Sequence, residues 1–281
     1  MEAEGAWNVT QGSPAVVIAV LDSGVDLDHD DLVGKIWTNP GEVAGNGVDD
    51  DGNGIVDDFH GADFAGDNVG NPATDDPASQ DGDPDIPMGA WYPETLTFVG
   101  DPSVGDGLDN NGDELPDLGV FHGTAVATLA GAMTDNINPV TLEFEGMAGA
   151  CPDCRIMPVR MVTAEGTGIG SDAAAAIYYA TDMGADIINA SWGTDLDNLA
   201  PGEDGDIAVI TEAINYAVGQ GVIVVASAGN SGFEAVHFPA SMPDTIAVGS
   251  SDWLDQRSAF SRVRLYTVTW CPAFTRYPAI G

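Results

Sequence analysis

The sequence predicts an α/β fold in which a central parallel sheet carries helices on both faces. Two observations predict it. Five short runs are mostly apolar and rich in β-branched residues, Ala15 to Leu21 continuously so, as strands buried on both faces are. Stretches of helical character separate several of them, and strands alternating with helices is the signature of parallel sheets. The chain has 281 residues with 44% hydrophobic content, enough for one large core.

Taken in order, Ala15 to Leu21 reads as the first buried strand. His122 to Met133 reads as a helix whose small residues Gly123, Ala125, Ala127 and Ala130 allow close packing on a sheet. Arg155 to Val162 is the next strand. A helix then starts at a Ser171-Asp172 cap, runs through an alanine-rich body and stops at Gly184. Ala185 to Ala190 is a strand, and the following helix sets Ile207, Ile210, Ile214 and Ala217 on one face before stopping near Gly219. Gly221 to Ser227 and Thr245 to Ser250 complete the set.

Charge narrows the function classes. There are 45 acidic and 7 basic residues, a net charge of −38, and Lys35 is the single lysine. A polyanion without a basic groove repels nucleic acid, so that partner is excluded. Acidity of this kind accompanies calcium binding, life in high salt, or plain solubility. No run of 18 apolar residues exists, so no membrane span is expected. The start, Met1-Glu2-Ala3-Glu4, carries no secretory signal. Cys151-Pro152-Asp153-Cys154 lacks the second pair or nearby histidine of a zinc site. A local disulfide in an oxidising compartment is the first expectation, inert thiols the alternative.

Residues 38–118 break the rhythm, rich in Asp, Gly, Asn and Pro, and read as an insertion with functional or ion-bound structure. They hold a repeat. Gly45-Asn46-Gly47-Val48-Asp49-Asp50-Asp51-Gly52-Asn53 matches Gly105-Asp106-Gly107-Leu108-Asp109-Asn110-Asn111-Gly112-Asp113, and Asp57 then matches Asp117. Asp49, Asp51 and Asn53 alternate, with Gly54 at the sixth position and Asp57 at the ninth, as in an EF-hand calcium loop. The twelfth position is His60, where a bidentate acid belongs, and Asp58 is a substitute by another loop path. The second copy offers Asp109, Asn111, Asp113 and Asp117, with Glu114 in place of the glycine. Structural calcium is therefore expected, against the alternative of solvated Asp/Gly turns.

Three residues carry the chemistry. Asp22 ends the first strand, where working groups of an open parallel sheet gather. A phosphoryl acceptor places an Asp there too. His122 opens its helix, a position that lowers an imidazole pKa and favours the neutral base. Asn230, just after a strand, offers a side-chain amide donor or fills a turn between glycines.

Asp22-Ser23-Gly24, His122-Gly123-Thr124, Asn189-Ala190-Ser191-Trp192-Gly193 and Ala228-Gly229-Asn230-Ser231-Gly232, in that order, resemble the subtilisin-like (subtilase) serine proteases. The resemblance covers about residues 5–261, interrupted by the insertion, and removes the phosphoryl-acceptor alternative. It implies a three-layer subtilisin-like fold and an endopeptidase acting on polypeptides. Asp22 would orient His122, His122 would be general base, and Asn230 would donate to the oxyanion hole. Gly168, within Gly166-Thr167-Gly168-Ile169-Gly170, and Ser191, Trp192 and Gly193 would form the two edges that hold an extended peptide. Calcium at surface loops also follows from the resemblance, secretion from the resemblance together with the cysteine pair, and a monomer is expected.

One departure stands out. The family's nucleophile lies in Gly-Thr-Ser-Met-Ala-x-Pro, and none of Gly123-Thr124, Gly166-Thr167 and Gly193-Thr194 is followed by serine. After Ser261 the match dissolves, and residues 262–281 contain three of the basic residues and no acidic one. The expectation is a peptidase domain over 1–261, incomplete at its C-terminus, followed by an aberrant basic tail of frameshifted or misjoined origin. An ordinary basic tail is the alternative. Such a chain would bind peptide without turning it over. A calcium-dependent peptide-binding pseudoprotease is the alternative function.

Overall fold

The computed structural model describes residues 3–65 without Asp28, 122–134, 146–162, 168–196, 199, 203–232, 235–262 without Trp253 and Asp255, and three short strands within 90–99 and 269–272. The chain opens with α1 (Ala3–Trp7), β1 (Val17–Asp22), a 3-10 turn at Asp30–Leu32 and β2 (Ala62–Asp63). A separate antiparallel pair follows, β3 (Ala90–Tyr92) and β4 (Thr97–Val99). Then come α2 (His122–Gly131), β5 (Arg155–Arg160), α3 (Gly170–Asp182), β6 (Ile187–Ala190), α4 (Glu203–Gly219), β7 (Ile223–Ser227), β8 (Thr245–Ser251) and β9 (Thr269–Pro272). Seven strands form one parallel sheet in the order β2-β5-β1-β6-β7-β8-β9.

β1 is buried at every residue because it lies inside the sheet with side chains on both covered faces. Val17, Ala19 and Leu21 pack under α3 and α4 with Ile177, Ile188, Ile210 and Ile214. Ile18 and Val20 point the other way, to Leu32, Ala127 and Ile156 beneath α2. The period-2 geometry of a strand thus serves two cores with one apolar run. α4 buries Ile210, Ala213, Ile214 and Ala217, the helical spacing of one stripe, with Ile207 packed at its margin.

Several boundaries differ from the sequence expectation. α3 begins at Gly170 with Ile169 at its N-cap and no side-chain cap, so Ser171 and Asp172 lie in its first turn rather than capping it. The reason is contact with α4: a Cβ on Gly170 would stand 2.2 Å from the Asp206 Cβ, so the helix starts where only glycine fits. Ala185 and Asp186 belong to the turn before β6, where the Asp186 carboxylate accepts the Val17 N–H at 2.9 Å. Arg262, the first residue of the expected basic tail, is only 2% exposed. Its guanidinium pairs with Asp195 at 2.5 Å and donates to Ser231 Oγ and, at 3.0 Å, to the Ala235 carbonyl. Beyond it, β9 adds to β8 with Val248 opposite Thr269.

β1 sits at the switch point of the sheet, because the chain passes first to β5 on one side and then to β6 on the other. The C-terminal ends of parallel strands diverge there into a crevice. Asp22 ends β1 at that edge, and Ser191 and Asn230 follow β6 and β7 at the same edge.

Candidate active site

The Asp22–His122 pair is built by two interlocked turns. Gly123 has no room for a side chain: a Cβ there would lie 2.1 Å from the Gly24 carbonyl oxygen and 3.1 Å from the Asp22 Cβ. The start of α2 can therefore rest directly on the turn after β1. The Gly123 N–H donates to Ser23 Oγ at 3.1 Å, and Thr124 Oγ1 accepts the Asp26 N–H at 2.9 Å. Asp22 Oδ1 also accepts the Ser23 N–H at 2.8 Å. These bonds hold the 3% exposed Asp22 in one place.

His122 Nδ1 lies 2.8 Å from Asp22 Oδ1 and 2.9 Å from Oδ2. The imidazole is half exposed, and Nε2 has no hydrogen-bond partner among the described residues. The pKa of His122 is raised above 6.5, first by its hydrogen bond to Asp22, with burial opposing. This corrects the lowering expected from a helix start. A full negative charge in hydrogen-bond contact outweighs the partial charge of a helix terminus.

Across the crevice, Asn189, Ser191, Ala228, Asn230, Ser250 and Ser261 line a cleft of about 390 Å³. Asn230 is exposed there, and Ser191 Oγ accepts from the Asn189 amide at 2.9 Å. Gly229 has φ +100°, and a Cβ on it would meet the His237 ring at 2.5 Å. A second cleft of about 350 Å³ is lined by Gly168, Trp192 and Gly193 among others. Trp192 packs against both the α3/α4 core and a small cluster around Ala190 and Ala226. A Cβ on Gly193 would meet the Phe238 carbonyl at 2.5 Å, beside the paired Thr194 and Phe238 backbones. Gly166 and Thr167 lie outside the described residues. The structure thus places Asn230 and Ser191 on one cleft and Trp192, Gly193 and Gly168 on the other. Phe238 also lines the second cleft, His237 lies against Gly229 and Arg262 donates to Ser231 Oγ, and none of the three carries a sequence motif that marks it.

The acidic loop is tightly wound. Asp49 accepts the N–H groups of Gly52, Asn53 and Gly54 at 2.7 to 3.1 Å. Asp51 Oδ1 accepts the Asn53 N–H at 2.9 Å. Asn53 uses its carbonyl oxygen for the Ile55 N–H and its amide for Asp51 and Asp58. Asp57, at φ +56°, turns its carboxylate to the Asn46 and Gly47 N–H groups. Asp58 is fully buried and accepts from Tyr179 Oη at 2.8 Å, so it faces α3. Burial raises its pKa, against three hydrogen bonds that lower it. His60 Nδ1 lies 3.2 Å from the Trp37 carbonyl. Asp49 and Asp51 come together with Glu42, which the alternating pattern does not mark. Asp109, Asn111, Asp113 and Asp117 lie outside the described residues.

Cys151 and Cys154 form a disulfide, and Gly12 lies against it, with a Cβ position 2.2 Å from Cys151 Sγ. Among the described residues no helix is long and apolar enough to cross a membrane.

Comparison with known proteins matches residues 13–271 to the sequence model of the Subtilase family. A thermophilic serine proteinase of Bacillus sp. strain AK1 is 33% identical over 91% of this chain and 43% of its own length. Thermitase of Thermoactinomyces vulgaris is 29% identical over 93% of this chain and 63% of its own. Halolysin of Haloferax mediterranei is 30% identical, covering 90% and 34%. The chain therefore spans between a third and two thirds of these relatives. Among solved structures, a protease of Pseudoalteromonas arctica superposes with a TM-score of 0.62 at 25% identity, over 95% of this chain and 65% of that one.

Proposed function

Since this chain belongs to the subtilase family of serine proteases, we propose that Asp22, His122 and Asn230 are the working groups of an endopeptidase acting on polypeptides. The observation that carries the proposal is the Asp22–His122 hydrogen bond at the switch point of the sheet. Asp22 holds the ring so that Nδ1 keeps its proton and Nε2 is the basic nitrogen. It also stabilises the imidazolium that forms when Nε2 accepts a proton. Asn230 lends an amide donor to the oxyanion, an interaction worth about 10² to 10³ in turnover. An extended peptide lies between the Gly168 edge and the Ser191-Trp192-Gly193 edge, held by backbone pairing.

The 281 residues contain no Gly-Thr-Ser sequence. A triad without its nucleophile loses about 10⁶ in turnover. A polypeptide of these residues by themselves is accordingly expected to hold peptide without turning it over. The second reading is peptide binding without turnover, in which no nucleophile segment accompanies these residues. The Cys151–Cys154 disulfide supports an extracellular setting. The acidic loop supports structural calcium, with Asp49 and Asp51 turned to one place.

The test reads the encoding DNA past Asp255 in all frames and assays the protein with a fluorogenic peptide. A Gly-Thr-Ser-x-Ala-x-Pro segment, once joined in frame, should confer hydrolysis that His122→Ala abolishes. Hydrolysis unaffected by His122→Ala would sink the endopeptidase assignment. If no such segment exists and peptide binds unhydrolysed, the second reading stands.

A further inference from the structure

We infer that Glu42, Asp49 and Asp51 hold one calcium ion, with Glu42 the ligand that closes the loop over it. Glu42 is 6% exposed. Its Oε1 accepts the N–H groups of Asp50 and Asp51 at 2.8 and 3.1 Å. Its Oε2 is buried and has no hydrogen-bond partner among the described residues. A carboxylate oxygen removed from water and left unpaired is strongly disfavoured, which is why such atoms almost always have a partner. One oxygen from each of Glu42, Asp49 and Asp51 lies within 4.8 Å of the others.

None of the three forms an ion pair with a described Lys or Arg; the ion pairs found there are at Asp22, Asp63 and Asp195. Three negative charges are thus gathered without a counter-charge among the described residues. The backbone N–H groups of Gly52, Asn53 and Gly54 hold Asp49 in position. Gly41 keeps the approach open, since a Cβ there would lie 2.7 Å from the Asp51 Cβ. A hard cation with oxygen ligands is the missing partner. Ligands on opposite sides of calcium, at about 2.4 Å each, stand about 4.8 Å apart, so three oxygens within that span fit one coordination sphere. Further ligands would be water and backbone oxygens.

The position gives the ion a mechanical consequence. The Asn39 amide donates to Asp51 Oδ2 at 2.9 Å and to the buried Asp58 at 3.1 Å. Asp58 in turn receives Tyr179 Oη on α3, the helix whose first residue, Gly170, lines the cleft beside Trp192. The ion therefore fastens the acidic loop to the helix that borders the peptide cleft.

This assignment rests on the calcium part of the reading above and is separable from the peptidase part. Calcium is titrated into the chelator-treated protein, with stoichiometry from calorimetry and Tm from thermal unfolding. The wild type is expected to bind calcium and to gain Tm. Glu42→Gln keeps the Oε1 acceptor and removes one charge. It should bind one calcium fewer and lose the Tm gain, while its metal-free Tm equals or exceeds that of the wild type. Asp49→Asn should also bind one calcium fewer, and Asp57→Asn should keep the full number. A Glu42→Gln protein with unchanged stoichiometry and Tm gain overturns the site while leaving the broader calcium reading. A wild type that binds no calcium overturns both.

Discussion

His122 Nδ1 meets both carboxylate oxygens of Asp22, at 2.8 and 2.9 Å, although 100 residues separate them in the chain. The raised His122 pKa should therefore appear above 6.5 in an NMR titration of its ring protons, and Asp22→Asn should bring it down. The sign for stability follows from linkage. A folded pKa above the unfolded one contributes stability that is full below about pH 6.5 and is lost as pH rises through the folded value. The stability gap between wild type and Asp22→Asn should narrow across that window. A gap that widens with pH would contradict the assignment.

Gly123→Ala drives a methyl group to 2.1 Å from the Gly24 carbonyl, an atom of backbone that cannot swing aside. Overpacking of this kind costs about 1–3 kcal/mol, measurable as a lower denaturant midpoint. Gly205→Ala, in the first turn of α4 with nothing within 4 Å, should instead raise the midpoint, by an unfolding free energy of about 0.4–1 kcal/mol.

Tyr179→Phe removes the hydroxyl that donates to buried Asp58 at 2.8 Å. The carboxylate keeps its Asn39 and Asn53 donors, so the expected loss is about 1–3 kcal/mol of unfolding free energy. A Tyr179→Phe protein as stable as the wild type would show that these two amides suffice.

Asp195→Ala takes the carboxylate from Arg262, a guanidinium only 2% exposed at the side chain. Breaking a fully buried pair costs about 3–5 kcal/mol. Asp195 is a quarter exposed and Arg262 keeps the Ala235 carbonyl, so about 1–3 kcal/mol is expected here. Chemical denaturation of the single variant measures it.

Much of the sheet is legible in sequence because its strands are buried on both faces. Val17 to Leu21 must be apolar at every position, and a continuous apolar run is visible without knowing its neighbours. The His122-Gly123-Thr124 motif is legible for a related reason: each residue has one local task, and Gly123 has no substitute. The start of α3 is less legible. Ser171 and Asp172 look like a cap, yet contact between Gly170 and Asp206 on α4 moves the start forward. In the acidic loop, alternate spacing draws attention to Asn53 and Asp57, whose polar atoms are occupied by turns of the loop itself. Glu42 carries no such spacing, because its neighbours are brought to it by the fold of residues 39–58.

The sequence alone determined the parallel α/β architecture, the order of its main elements and the residues at the sheet edge. Burial and local backbone geometry dictate these, and both leave a mark on neighbouring positions. Tertiary structure decided the direction of the His122 shift, the burial of Asp58 against Tyr179, the anchoring of Arg262 by Asp195 and the meeting of Glu42 with Asp49 and Asp51. Each depends on the distance between charged or polar atoms brought together by folding. Electrostatic energies change steeply over a few ångströms, which residue spacing along the chain does not encode.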